Sequence, residues 1–189
     1  MVKGEFMKNI SNENVVKEDI TKKHTIKDTL KELIPYVIII LVVVLIRTFL
    51  FTPIKVNGNS MDDTLHDGDT MILNKISMKL NGIKRFQIVV IKTSDTYLIK
   101  RIIGLPGETI EYKNGKLYIN DKEYKDPYYK DDNTGNFEKV IIPEGYYYVM
   151  GDNRSVSIDS RIIGVVNEQD ILGVTNLILF PLSDFGLVD

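Results

Sequence analysis

One segment limits what this chain can fold into more than any other. It is "IPYVIIILVVVLIRTFLF", residues 34–51, in which positions 37–46 are apolar without a break. As a helix the segment would measure about 27 Å at 1.5 Å per residue, close to the ~30 Å hydrocarbon core of a bilayer. A buried strand or core helix is the competing reading, because β-branched residues dominate and Arg47 interrupts. A transmembrane helix accounts for more. Few soluble helices are apolar all round, and Arg47 stands where its stem reaches the far interface. The chain contains no alanine, so a strict A-x-A cleavage site after the segment is impossible, and an uncleaved anchor is expected.

The flanks give the anchor a direction. Residues 1–33 form a polar, lysine-rich tail, and Lys17, Lys22, Lys23, Lys27 and Lys31 precede the apolar run. Only Lys55 follows it closely. The basic flank stays in the cytoplasm. The expected topology is a single-pass cell-membrane protein with a cytoplasmic tail (1–33), an anchor (34–51) and an extracellular domain (52–189).

That domain reads as strand. "TMILNKI", "FQIVVIK", "TYLIKRII", "KLYIN", "YYYVM" and "VTNLILF" are short runs of β-branched, aromatic and aliphatic residues. Asn114-Gly115 marks a two-residue hairpin, Asn120-Asp121 a second tight turn, and Pro106-Gly107 and Pro143-Glu144-Gly145 further breaks. No amphipathic helix of normal length stands out. The expected fold is mostly β, an antiparallel catalytic domain with a smaller inserted β-region at about 105–148, preceded by one transmembrane helix. The chain has no cysteine, which excludes disulfides, thiolate zinc sites and cysteine nucleophiles. A net charge of −2 gives no reason to expect nucleic acid.

Three stretches carry groups suited to chemistry. "VNGNSMDDTLHDGDTM", residues 56–71, holds Ser60 and His66. A serine nucleophile needs a base and an oxyanion donor. His66 lies six positions on, in a turn-rich acidic segment, and reads as a solvated loop residue. Asp62, Asp63, Asp67 and Asp69 lack the spacing of a calcium loop and read as an exposed turn, so no metal is expected. Lys100 is the other candidate base, since a lysine buried among apolar groups is neutral near working pH. In "DTYLIKRIIGLPG" strand alternation places Lys100 on one face with Leu98 and Ile102. Taken alone, that stretch favours the plainer reading, a lysine that blunts a strand edge. The third stretch, "MGDNRSVSIDSR" at 150–161, crowds charged and hydroxyl groups after an apolar strand, either as a scaffold beside a site or as a solvated loop.

Taken together, these motifs resemble the type I signal peptidases, the membrane-bound Ser/Lys proteases of peptidase family S26, in their short Gram-positive form. "GNSMDDTL" resembles the nucleophile box, "YLIKRIIGLPGE" the base box, and "GDNRSVSIDSR" the downstream box, in the family's order. The resemblance implies Ser60 as nucleophile, followed by Met61, and Lys100 as general base. It implies an acyl-enzyme that water resolves, with the Ser60 N–H as an oxyanion donor. It implies Ser157 as the serine that positions the lysine, and Arg101, Asp152, Asn153, Arg154, Asp159 and Arg161 as bracing residues. No cofactor is implied. The implied partners are preproteins bearing signal peptides cut at small-x-small sites, and the lipid bilayer, with the secretion translocon as a further candidate. Two departures stand out. Gly58 occupies a position where some members carry a serine hydroxyl, and Asp63 stands where the nucleophile box usually has proline. A role restricted to pilin-like or surface proteins is a variant of this reading. A LexA-like self-cleaving regulator and a non-catalytic β-domain that binds exported chains are the alternatives.

Overall fold

The computed structural model describes residues 26–49, 51–128 and 136–188, with side chains left out at 26–28, 46–49 and 51. The expected polar tail lies mostly outside these residues. The chain divides into two units, 1–45 and 46–189.

In the first unit, helix α1 (Ile26–Phe49) runs for 24 residues with Pro35 inside it. It begins eight residues before the apolar segment, so the end of the polar tail is helical and continuous with it. The proline removes one backbone donor from the ladder. Its apolar side chains are exposed on every face, from Leu33 at 53% to Leu45 at 46%. Among the described residues no helix is long and apolar enough to cross a membrane. The span expected over 34–51 runs on into positions whose side chains are not described.

The first strand of the second unit is β1 (Phe51–Lys55), so Phe51 leads a strand rather than ending the helix. β1 pairs with β2 (Thr70–Asn74). Pro53 is tolerated in β1 because this is an edge strand with one side free of ladder bonds. After β2 the chain turns into a short helix, α2 (Lys75–Asn81), whose first turn is capped by Asn74 Oδ1 accepting from Ser77 N at 2.8 Å. The strand expected from "TMILNKI" therefore stops two residues early. The cause is the cap: a side-chain acceptor at Asn74 satisfies a free helical N–H and favours the helical course.

β3 (Ile88–Lys92) and β4 (Tyr97–Gly104) form the next hairpin. β5 (Thr109–Lys113), β6 (Lys116–Ile119), β7 (Lys122–Tyr124) and β8 (Phe137–Ile141) make a separate four-stranded sheet in the order β7-β6-β5-β8. Its two tight turns are the ones legible in the sequence. Asn114 and Gly115 have φ of 52° and 72°, and Asn120 and Asp121 have 51° and 65°, the left-handed pairs that two-residue hairpins demand. The chain then returns through β9 (Tyr146–Met150), a four-residue helix α3 (Ser160–Ile163), β10 (Val166–Asn167), β11 (Ile171–Phe180) and β12 (Gly186–Leu187). The large sheet has the order β1-β2-β11-β3-β4-β9-β10, with β12 beside β11. The pairings in both sheets are antiparallel, as expected. The inserted region closes at residue 145, because β9 already belongs to the large sheet.

Three apolar clusters hold this unit together. Val89, Ile102, Val149 and Val174 anchor one side of the large sheet. Ile103, Ile110, Leu117 and Tyr148 join the small sheet to the large one. Val56, Met61, Leu65 and Met71 lie beneath the loop that carries Ser60. Each such side chain, fully buried, contributes about 1.5–3 kcal/mol. The alternation expected for β4 holds for its apolar members: Leu98 and Ile102 join the first cluster, Ile99 the third and Ile103 the second.

Candidate active site

The loop between β1 and β2 is pinned at both ends. Val56 N donates to Asp69 O at 2.8 Å and Gly68 N to Val56 O at 3.0 Å. Met61 and Leu65, 1% and 0% exposed, hold its middle against the core. Between them Thr64 N and Leu65 N both donate to Met61 O, at 3.0 and 2.8 Å, a single helical turn. The aspartates do local work. Asp67 Oδ1 accepts from Gly58 N at 2.7 Å, and Asp69 Oδ2 accepts from His66 N at 2.8 Å. His66 itself is exposed and enters these bonds through its backbone. Asp63 has φ 81°, a left-handed conformation that aspartate tolerates and proline cannot adopt.

Ser60 is held at the mouth of this loop. Its carbonyl accepts from Asn153 N at 3.2 Å, while its own N–H donates no hydrogen bond among the described residues. Lys100, on β4, is 2% exposed, and its Nζ stands 2.6 Å from Ser60 Oγ. Burial pushes the Lys100 amine below its ordinary value, against Asp159 and Asp152, which raise it, and with a small push from Arg161 in the same direction as burial. A lysine held in this way gives up its proton more readily than one in water.

The segment after β9 braces both groups. Arg101, 0% exposed, donates from Nε and Nη2 to Asp152 at 2.9 and 2.7 Å and from Nη1 to Phe86 O at 2.7 Å. Thr64 Oγ1 donates to the same Asp152 carboxylate at 2.6 Å. Asp152 thus ties the serine loop to the lysine strand. Asp159 is 0% exposed and accepts from Gly151 N at 3.1 Å and from Arg161 Nε and Nη2 at 2.8 Å each. Burial works to raise the Asp159 carboxyl, but the bonds from Arg161 and Gly151 outweigh it and hold the group below its ordinary value. Gly151 is there because nothing larger fits: a Cβ would stand 2.3 Å from both Ser60 O and Ser157 Oγ. Arg154, 5% exposed, donates from Nε to Gly151 O at 2.9 Å.

Most of the residues singled out in the sequence therefore meet at one place: Ser60, Met61, Lys100, Arg101, Asp152, Asn153, Arg154, Asp159 and Arg161. Ser157 differs from expectation. It is buried against Gly151 and near enough to Asp159 to favour that carboxylate's charge, yet its Oγ makes no bond of ordinary hydrogen-bond geometry among the described residues, to Lys100 or otherwise. Sequence reasoning missed Thr64, Tyr112 and Asp126, and also Ser160, whose Oγ accepts from Val149 N at 2.9 Å. Their partners lie far off in the chain, 88 residues away for Thr64 and 28 for Asp126, and no local pattern marks them.

Two clefts share Ser60 and Lys100. One, about 490 Å³, is walled mainly by aliphatic side chains, among them Ile54, Val56, Leu73, Val90 and Ile99. The other, about 510 Å³, opens toward Asn153, Val156 and Ile158. A hydroxyl at hydrogen-bond distance from a desolvated amine, beside a backbone N–H that donates no hydrogen bond among the described residues and an adjoining cleft, is a set suited to acyl transfer of the serine-hydrolase kind.

Comparison with known proteins agrees with that class. A family model described as "Signal peptidase, peptidase S26" matches residues 29–180. A signal peptidase I of Bacillus amyloliquefaciens is 40% identical over 179 residues, covering 89% of this chain and 95% of the relative. A second signal peptidase I of the same organism is 44% identical over 153 residues, covering 74% and 79%. A crystal structure of a signal peptidase I from Enterococcus faecalis V583 is 34% identical, with a TM-score of 0.45, over 49% of this chain and 95% of that one. The chain belongs to the signal peptidase family S26 and is a serine peptidase of the signal peptidase I type. Neither a self-cleaving regulator nor a non-catalytic binding domain fits that membership.

Proposed function

We propose that this chain is a membrane-anchored serine endopeptidase that removes signal peptides from exported preproteins, with Ser60 as nucleophile and Lys100 as general base. The observation that carries the reading is the 2.6 Å separation of Lys100 Nζ and Ser60 Oγ, with Lys100 2% exposed. The lone pair of the neutral amine takes the Ser60 proton as Oγ bonds to the scissile carbonyl carbon. The oxyanion that forms is met by the unengaged Ser60 N–H. As the C–N bond breaks, the Lys100 ammonium returns the proton to the departing amine of the mature chain. Water, deprotonated by the same lysine, then splits the ester and frees the signal peptide as an acid. Asp152, Asp159, Arg101, Arg154 and Arg161 keep the two groups in register. The aliphatic cleft beside Ser60 suits an extended segment with small side chains before the cut.

The anchoring of residues 34–51 belongs to the same reading. Its support is a continuous helix of 24 residues, about 36 Å long, whose described apolar side chains from Leu30 to Leu45 are exposed. Residues 1–33 would then lie in the cytoplasm and 52–189 outside.

The test uses the full chain in detergent with a preprotein that carries a small-x-small site. Ser60→Ala and Lys100→Met are each expected to lower kcat by at least about a thousandfold. His66→Ala is expected to stay within about twofold of the parent, because its ring lies outside the bonded site. Turnover by either of the first two variants at the parent rate would sink the assignment.

A further inference from the structure

The end of β7 and the segment after it meet three arginines with every second residue: Arg85 in the turn before β3, Arg154 in the loop after β9 and Arg101 on β4. Tyr124 lies over Arg85, with its ring centroid 5.0 Å from the guanidinium carbon. Asp126 Oδ2 accepts from Arg154 Nη2 at 2.7 Å, and both side chains are 3% exposed. Tyr128 covers the face of Arg101, with its centroid only 3.4 Å from the guanidinium carbon. Tyr124 ends β7, and the chain then turns at 127–128, so the three side chains reach their arginines from a strand end and the turn that follows it. Two further bonds stiffen the segment: Tyr128 N donates to Asp126 Oδ1 at 3.0 Å, and Tyr112 OH, from β5, donates to Asp126 Oδ2 at 2.9 Å.

Two of these arginines belong to the site. Arg101 has its edge taken by Asp152 and Phe86 O, which leaves the flat face of a fully buried cation to be satisfied. An aromatic ring is the one uncharged group that stabilises such a face by more than contact, because its quadrupole faces the cation. Asp126 sets a carboxylate 2.7 Å from the buried Arg154 guanidinium, and loss of that charge weakens its hold on the side chain. Its Nε holds Gly151 O, and Gly151 is packed directly against Ser60 O.

We propose that residues 124–128 are a positioning arm for the cleavage site, in which Tyr128 fixes Arg101 and its partner Asp152, and Asp126 fixes Arg154 and its partner Gly151. The small sheet is then a working part of the peptidase rather than an ornament on it. The arm touches neither Ser60 nor Lys100 and acts on them through Arg101 and Arg154, so its effect is expected in kcat. The inference rests on the Ser60/Lys100 reading above.

The experiment compares Tyr128→Leu, Tyr128→Phe and Asp126→Asn in the full chain, with rates referred to the folded fraction measured by circular dichroism. Tyr128→Leu keeps an apolar side chain, though a smaller one, and loses the quadrupole. A kcat about tenfold below the parent is expected, with KM within about twofold. Tyr128→Phe keeps the ring and is expected to restore kcat to within about twofold. Asp126→Asn is expected to fall at least as far as Tyr128→Leu, again in kcat. Equal rates for the Leu and Phe variants, a loss confined to KM, or a loss that vanishes on correction for folded protein would each overturn the arm. A parent whose activity survives Ser60→Ala overturns the Ser60/Lys100 reading instead, and the two failures are told apart.

Discussion

Lys100 and Asp63 show what single residues contribute. Burial holds the Lys100 amine below its ordinary value of 10.5, while Asp159 acts as the strongest opposing charge. A base works when neutral, so kcat/KM rises with pH through the Lys100 value and its midpoint lies below the ordinary lysine range. Asp159→Asn removes the charge that most favours the ammonium. The change moves the rising limb to lower pH, even as the maximal rate falls because one amide oxygen accepts less well than a carboxylate from Arg161 and Gly151. A pH–rate profile of the variant checks the sign, and a limb that stays in place or moves upward contradicts it. Asp63 was legible as a departure from the family's proline, but its φ of 81° was not. A proline there cannot keep this turn. Asp63→Pro is expected to cost about 1–3 kcal/mol in thermal unfolding and to disturb turnover. Asp63→Gly, free to take the same φ, is expected to stay within about 1 kcal/mol of the parent. Matching melting curves for the two would show that the loop does not depend on that conformation.

At the scale of elements, the sequence announced what has a local signature and hid what does not. The two hairpin turns could be read because a left-handed pair selects Asn, Asp and Gly at adjacent positions. The helices Lys75–Asn81 and Ser160–Ile163 could not, since seven and four residues are too few to display a helical period. Lys100 stood out because a charge inside an aliphatic strand is conspicuous. Asp126 did not, because an aspartate in a polar stretch looks solvated until its arginine arrives from 28 residues away. The loop after β9 is the element on which most of the site hangs, and Gly151 is its tightest point. Gly151→Ala forces a methyl group to within 2.3 Å of the Ser60 carbonyl oxygen. The expected result is a loss of about 1–3 kcal/mol in stability and about a hundredfold in kcat. Urea unfolding together with steady-state rates measures both, and a parent-like kcat would mean that the loop yields without moving Ser60.

For the whole molecule, the proposed topology predicts what an added protease reaches. On intact cells it should digest residues 52–189 and spare a tag fused before residue 1; digestion of the tag would reverse the orientation. The order of strands in the large sheet has a consequence in time. β2, with the Ser60 loop at its start, is paired on its inner side to β11, and β11 to β3, the neighbour of the Lys100 strand. The strand that bridges β2 and the neighbour of the Lys100 strand is therefore made after both of them. A growing chain carries Ser60 and Lys100 for as long as it takes to add β11, without the ladder that sets them face to face. On the proposed Ser60/Lys100 reading, the nascent chain is expected to stay inactive until its last long strand slots into the middle of the sheet.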